Sequence, residues 1–371
     1  MGIRQPALES VVTMALFNDA YRGRKVLLTG HTGFKGSWLT LWLDQMGAKV
    51  TGIALNPDSS PNHWELLQLD IDEHIEDIRD AIALQKIISD TQPEIVFHLA
   101  AQPLVRESYN DPLTTWATNV QGTANLLEAC RHVPSVKAIV IVTSDKCYEN
   151  RDLPRGYHEE DALGGHDPYS ASKAASELVA ASFRKSFFDF PGAPLLATAR
   201  AGNVIGGGDW SEGRLIPDLV RAISTGDSLE IRSPHATRPW QHVLDALSGY
   251  LLLGQRLLQG DRKAASAWNF GPEREGNSQV IEILQLMKHE LPDLQWHLNG
   301  EKQPHEAALL HLDSSKAKEQ LAWKPVWNLI SGISACTEWY RAYLNDQFTG
   351  THQQLEKYIM DAQHSRCIWA G

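Results

Sequence analysis

Short runs of consecutive apolar residues, each followed by a stretch with helical spacing, set the rhythm of the N-terminal half of the chain. Lys25-Val-Leu-Leu-Thr-Gly30 ends in glycine and leads into Ser37-Trp-Leu-Thr-Leu-Trp-Leu43, which predicts strand, loop and helix. Ala48 to Leu55 reads as the next strand and Asp80 to Ser89 as a helix. Glu94-Ile-Val-Phe-His-Leu-Ala-Ala101 is apolar on both faces, as a fully buried parallel strand must be. Thr115 to Cys130 is helical in spacing. Lys137-Ala-Ile-Val-Ile-Val-Thr143 is another buried strand, whose carboxyl end delivers Ser144 and Asp145, and Leu195 to Arg200 is one more. This alternation predicts an α/β fold, a Rossmann-type doubly wound parallel sheet that binds ligands at the carboxyl ends of its strands.

Beyond Asn203-Val-Ile-Gly-Gly-Gly208 the pattern loosens, and a smaller mixed α/β lobe is expected. Its helices are predicted at Leu215 to Ile223, Val243 to Leu258 and Val280 to Glu290. Short strands are predicted at Ser228 to Arg232, Trp268 to Phe270 and Leu294 to Leu298, with a closing helix at Ile330 to Leu344. The expected organisation is an N-terminal extension (1–22), a nucleotide-binding Rossmann domain (23–202), a mainly substrate-binding lobe (203–345) with some segments returning to the first domain, and a tail (346–371).

Composition narrows the classes. With 371 residues, 43% hydrophobic and 21% charged, the chain can bury a large core. A net charge of −11 without basic stripes argues against nucleic acid as a partner. Cys130, Cys147, Cys336 and Cys367 lie far apart with no Cys-x-x-Cys pair, so neither a metal site nor a disulfide framework is expected, and reduced cytoplasmic thiols are. Val11 to Phe17 is apolar, but Glu9 precedes it and Asp19 follows, unlike a secretory leader; no stretch reaches the length of a membrane span.

The chemistry sits at the predicted strand ends. Gly30, Gly33 and Gly36 recur every third residue between a strand and a helix, where glycine allows a tight turn and free helix amides can take a pyrophosphate. Lys35 in this loop reaches either a phosphate or solvent. The acidic residue that usually binds the adenine ribose is replaced by Asn56 at the end of the second strand, which softens the preference for NAD over NADP. Tyr169 and Lys173 are four apart and share a helical face, where an ammonium can lower the pKa of a phenol from about 10. Ser144, Asp145 and Lys146 come just before.

With loop, Tyr-Lys pair and strand order assembled, the chain resembles the extended short-chain dehydrogenase/reductases that act on nucleotide sugars, and among them the 4,6-dehydratases of CDP-glucose. The matching stretches are 29–39, His98-Leu-Ala-Ala-Gln102, Asn119-Val-Gln-Gly-Thr123, Thr143-Ser-Asp-Lys-Cys-Tyr148, 165–173, 200–210 and Arg238-Pro-Trp-Gln-His242. The resemblance implies NAD as cofactor, a homodimer built from helices around Thr115 to Cys130 and Tyr169 to Lys185, and a place in deoxysugar biosynthesis. It carries cofactor contacts onto Gly30, Thr32, Gly33, Phe34, Lys35 and Gly36 in the loop, and onto Asn56, Asp77 and Ile78 on the adenosine side. Leu99, Ala100, Ala101, Asn119, Thr143, Tyr169 and Lys173 complete that set; for Asp77, helix capping is the other reading.

In such enzymes Tyr169 takes the proton of the sugar 4-hydroxyl while hydride leaves C4. The 4-ketone acidifies C5, and Asp145 protonates the departing 6-hydroxyl. The better-known dTDP-glucose dehydratases have glutamate where this chain has Lys146, so this lysine either acts as the C5 base at a depressed pKa or stays charged beside the developing enolate. For the substrate, Gln102, Asn203, Arg214, Arg238 and His305 are the implied contacts, the arginines being suited to phosphate. A nucleotide-sugar 4-epimerase, which needs no leaving-group acid, a GDP-mannose dehydratase and a non-catalytic NAD-binding module of the same fold are the alternatives.

Overall fold

A computed structural model of the chain describes residues 15–231, 233–273, 276–298, 310–346 and 349–371. Strands β1 (Lys25–Thr29), β2 (Lys49–Ala54), β3 (Asp72–Ile75), β4 (Ile95–His98), β5 (Ala138–Val142) and β6 (Leu195–Ala201) belong to one sheet. Two short strands of a second lobe follow, β7 (Asn203–Ile205) and β8 (Leu229–Ile231), then β9 (Thr237–His242). β10 (Ala267–Phe270) returns to the main sheet, and β11 (Asn277–Gln279) and β12 (Trp296–Leu298) return to the lobe.

The main sheet has seven strands in the order β10-β6-β5-β4-β1-β2-β3, and all of its pairs are parallel. Strand order reverses between β1 and β4, where Thr29 pairs with His98, so a crevice opens at their carboxyl ends. In the lobe, β9 lies between β11 and β7 while β8 pairs with β12. Trp268–Phe270, expected among the lobe strands, therefore forms the edge of the main sheet instead: Trp268 pairs with Ala199 of β6.

Burial explains the layering. Alternate residues of β1 face opposite sides, Val26 and Leu28 into one apolar cluster and Leu27 into another. On the first face lie helices Phe34–Gln45 and Val243–Leu258; the former is buried from Gly36 to Leu43 on every side, as suits a helix apolar all round. On the second face lie Ala81–Thr91 and Gly122–Arg131, with Leu84, Ile88, Leu126 and Leu127 against Val96 and Ile139. The helix expected over Thr115 to Cys130 is interrupted: Pro112–Trp116 passes through a π-helical turn at Ala117–Gln121 before Gly122–Arg131.

The first and last described segments both enter the core. Phe17 and Tyr21 are fully buried; Phe17 stacks on Trp369, and Tyr21 donates to the Leu251 carbonyl. Helix Thr351–His364 brings Tyr358 to the Asp245 carboxylate at 2.7 Å. Trp38, Trp42, Trp323, Trp339 and Trp369 are all fully buried. Each such ring removes roughly 150–250 Å² from water, worth about 4–6 kcal/mol of transfer free energy before the entropy of ordering is set against it. No described helix is long and apolar enough to cross a membrane.

Candidate active site

The glycine loop caps the crevice. Gly30 adopts φ +80°, and a Cβ there would lie 2.7 Å from the Ala100 amide nitrogen; a Cβ on Gly36 would lie 1.9 Å from the Gly30 carbonyl oxygen. Only glycine lets the turn close against β4 and the helix start directly beneath it. Thr29 links the two strands, bonding the His98 ring at 2.7 Å and accepting from the Ala100 amide at 3.2 Å. Burial, with the Lys173 ammonium nearby, pushes His98 down to about 3 and keeps it neutral. Leu99 and Ala101 flank Ala100 on the same strand end, Thr32 donates to the Leu55 carbonyl, and Phe34 packs towards Gly206. This cradle, which a side chain at either glycine would fill, fits a dinucleotide.

On the adenosine side the positions differ from one another. Asn56 is exposed just past β2. Ile78 is buried, its side chain over Gly122, where a Cβ would meet it at 2.6 Å. Asp77 is engaged by Arg79 through its backbone amide and guanidinium, which hold the carboxyl below its usual range. It does not cap the following helix: Asp80 does, accepting from the amides of Ile82 and Ala83.

At the centre, Ser144 Oγ donates to Asp145 Oδ1 at 2.9 Å and lies beside Tyr169, whose phenolate it favours. Tyr169 is raised to about 12, first by burial and further by the Asp145 charge, against the Ser144 hydroxyl and the Arg214 cation. Lys173 donates to the Val142 carbonyl at 3.4 Å, and burial lowers it to about 8. Asp145 is almost fully buried, and its Oδ2 has no hydrogen-bond partner; a Cβ on Gly202 would come within 3.2 Å of that oxygen. The Lys146 ammonium is 4.0 Å from Asp145 Oδ1 with its side chain 21% exposed, so it borders the cleft.

Lys35 turns inward, away from solvent. Its ammonium reaches the Tyr250 hydroxyl at 3.3 Å, and burial together with Arg214 and Lys173 lowers it to about 7. Asn119, in the π-helical turn, bonds the backbone of Gln102 on both sides and donates to Ser172. The displaced carbonyl of Asn119 accepts from Ser176 and Thr123. Thr143 is directed inward, onto Glu177.

The expected substrate contacts separate. Gln102 spends its side-chain amide internally on Leu104 and Thr115. Arg214, at the start of helix Leu215–Thr225, pairs with Asp209 at 3.0 Å and faces Lys35 and Tyr169. Asn203 pairs with Trp240 on β9, the strand that carries buried Arg238. His305 lies outside the described residues.

A sequence model of the family described as GDP-mannose 4,6 dehydratase matches residues 27–336. The chain belongs to that family. A CDP-glucose 4,6-dehydratase of Salmonella typhimurium is 47% identical over 349 residues, 91% of this chain and 97% of the relative. A dTDP-glucose 4,6-dehydratase of Xanthomonas campestris pv. campestris is 27% identical over 339 residues, 85% of this chain and 92% of the relative. Among solved structures, the epimerase Mth375 of Methanothermobacter thermautotrophicus superposes with a TM-score of 0.79 at 26% identity, covering 89% and 96% of the two chains. Dehydratases and epimerases thus share this fold.

Sequence reasoning missed Tyr250, Asp209, Gly202 and the buried pair of Glu177 and Arg200, all packed around the family's Tyr-Lys motif. Glu177 had a signal: it falls four residues after Lys173, on the same helical stripe.

Proposed function

We propose that the protein is an NAD-dependent 4,6-dehydratase that converts CDP-D-glucose to CDP-4-keto-6-deoxy-D-glucose. The observation that carries the reading is the buried Asp145 carboxyl bonded to Ser144 beside Tyr169: a leaving-group acid next to an alcohol-oxidising phenol. The choice of CDP-glucose rests on the relative of that name, 47% identical over nearly its whole length.

NAD bound in the cradle of Gly30, Gly33 and Gly36 supplies the hydride acceptor for C4 and the donor for C6. Tyr169, as phenolate, takes the 4-hydroxyl proton, and Ser144 orients that hydroxyl. Lys173 favours the phenolate electrostatically. Once C4 is a ketone, the C5 proton is acidic: it passes to water at the cleft rim while Lys146 stabilises the enolate charge, and a proton returns from that water to C5 as hydride reaches C6. Asp145 then gives its proton to the 6-hydroxyl, which leaves as water. Its unpartnered Oδ2, next to the space left by Gly202, is the oxygen available for that transfer. Arg238 and Asn203 hold the pyrophosphate, and Arg214 is released from Asp209 or shared with it as the sugar enters.

The protein acts as a homodimer in the cytoplasm. In support of the dimer, Leu113 is 79% exposed and Leu178 60%, on the helices expected to pair; in support of the compartment, all four cysteines are unpaired and buried. Light scattering giving a monomer mass would remove the dimer. For the activity, the enzyme is incubated with NAD and a panel of CDP-, dTDP-, UDP- and GDP-sugars and the products are read by NMR. A 4-keto-6-deoxy product from CDP-glucose is expected; epimerisation at C4 alone, or dehydration only of another nucleotide sugar, would overturn the reading.

A further inference from the structure

Helix Pro168–Ser186 presents a stripe of three buried polar side chains to the sheet, Tyr169, Lys173 and Glu177, spaced by four. The first two belong to the proposed chemistry. Glu177 does not, yet it is among the most heavily bonded side chains near the site. Its Oε1 accepts from the Thr143 hydroxyl, and its Oε2 accepts from Thr198 at 2.7 Å and from Arg200 at 2.8 Å. Arg200 is held in turn by the Tyr148 hydroxyl at 2.7 Å and lies over that ring. Both partners of the pair are only 3% exposed.

A buried ion pair of this kind is a weak source of stability, because removing two charges from water offsets most of their attraction; apolar replacements are often equally stable. Its position suggests another role. Thr143 and Val142 end β5, immediately before Ser144 and Asp145; Glu177 binds the first through its side chain, and Lys173 binds the second through its carbonyl. Glu177 is thus a fixed negative charge one helical turn from Lys173, tied to the strand end that carries the site.

We propose that Glu177, braced by Arg200, is a positioning residue for the reaction: its carboxylate keeps Lys173 an ammonium and its bond to Thr143 anchors the strand end that presents Ser144 and Asp145. The inference rests on the assignment of Tyr169 and Lys173 to alcohol oxidation. The groups facing Lys173 are Glu177 and Tyr169 on its own helix, Cys147 on the turn after β5, the neutral His98 on β4 and Lys35 on the first helix. Burial favours the neutral amine, and the Glu177 carboxylate opposes it. Glu177 itself stays ionised: burial raises its pKa, but Arg200 and the hydroxyl donors outweigh this and bring it below the usual range.

The sign follows. Without the carboxylate, Lys173 loses its proton at lower pH, and Tyr169 loses the cation that favours its phenolate. Because Lys173 at about 8 lies below Tyr169 at about 12, the phenolate–ammonium pair is a minority form, with its acid limb set by Lys173 and its alkaline limb by Tyr169. The acid limb therefore falls in pH, and the plateau drops as the pair becomes rarer.

Two measurements on the full-length protein test this. The first is the NMR titration of labelled lysine side chains, with Lys173 assigned by its loss in Lys173→Met; it needs no substrate. Glu177→Gln is expected to lower the Lys173 midpoint by about one pH unit or more. The second is the pH dependence of C4 oxidation in the holoenzyme, whose acid limb should move down by the same amount while its plateau falls. If Glu177→Gln does not fold, Glu177→Gln/Arg200→Met read against Arg200→Met, so that only the carboxylate differs, replaces it in both measurements. An unmoved Lys173 midpoint overturns the proposal, and so does a moved midpoint with an unmoved rate profile. Should the wild type act on no CDP-sugar, the functional reading fails, while the titration still decides whether Glu177 controls Lys173.

Discussion

Replacing Asp145 by asparagine separates the two halves of the proposed reaction. The amide keeps an oxygen at the position of Oδ1, so the Ser144 bond at 2.9 Å survives. What is lost is the oxygen Oδ2 and the proton it can carry. A positioned general acid contributes roughly 10²–10⁴ in rate, about 3–5 kcal/mol of barrier, so elimination should slow by that factor. Oxidation should not, since Tyr169, Ser144 and Lys173 are untouched. Rapid mixing of holoenzyme with CDP-glucose, followed by nicotinamide absorbance, should show reduced cofactor that forms at the wild-type rate and then persists. Equal slowing of both phases would refute the assignment of Asp145 as the leaving-group acid.

Three further outcomes follow from the same geometry. Tyr169→Phe keeps the ring packing but removes the base, so no reduced cofactor should appear on rapid mixing; a burst of normal amplitude would exclude Tyr169 as the base. Gly36→Ala forces a Cβ to within 1.9 Å of the Gly30 carbonyl. It should weaken NAD binding in calorimetry more than tenfold at a cost to stability of about 1–3 kcal/mol, and unchanged affinity would remove the loop from the cofactor site. Lys35 titrates at about 7 in the folded chain against an ordinary 10.5, so the unfolded chain binds the extra proton between those values and stability rises with pH across that window. Lys35→Met should therefore be more stable than wild type in denaturant titrations near neutrality, with the gap closing as pH approaches the ordinary lysine value. A gap that does not change with pH would contradict a buried, proton-poor Lys35.

The parts legible from sequence were those governed by local rules. β1, the glycine loop and the helix after it could be read because apolar run, glycine spacing and helical period follow one another without interruption. The second lobe could not be ordered the same way. β7, β8, β11 and β12 have three residues each, too short to display a period, and β11 and β7 exist as strands because β9 pairs with both. The same holds for β10, whose place at the edge of the main sheet is set by pairing with β6, not by its own residues. In the site, Ser144, Asp145 and Tyr169 stand out through motif spacing, and the structure brings them together. Tyr250 reaches Lys35 from a helix more than two hundred residues away, and Asp209 reaches Arg214 across a loop; neither contact leaves a periodic trace. Gln102 also bonds Leu104 and Thr115 through its side-chain amide, local pairings that the neighbouring sequence does not announce.

The most direct test of the account uses CDP-glucose deuterated at C4 and follows the label by NMR. Oxidation at C4 and hydride return to C6 within one site predict a CDP-4-keto-6-deoxy sugar with the deuterium in its methyl group. Recovery of the label at C4 of an epimerised or unchanged hexose, with no deoxysugar formed, would contradict it.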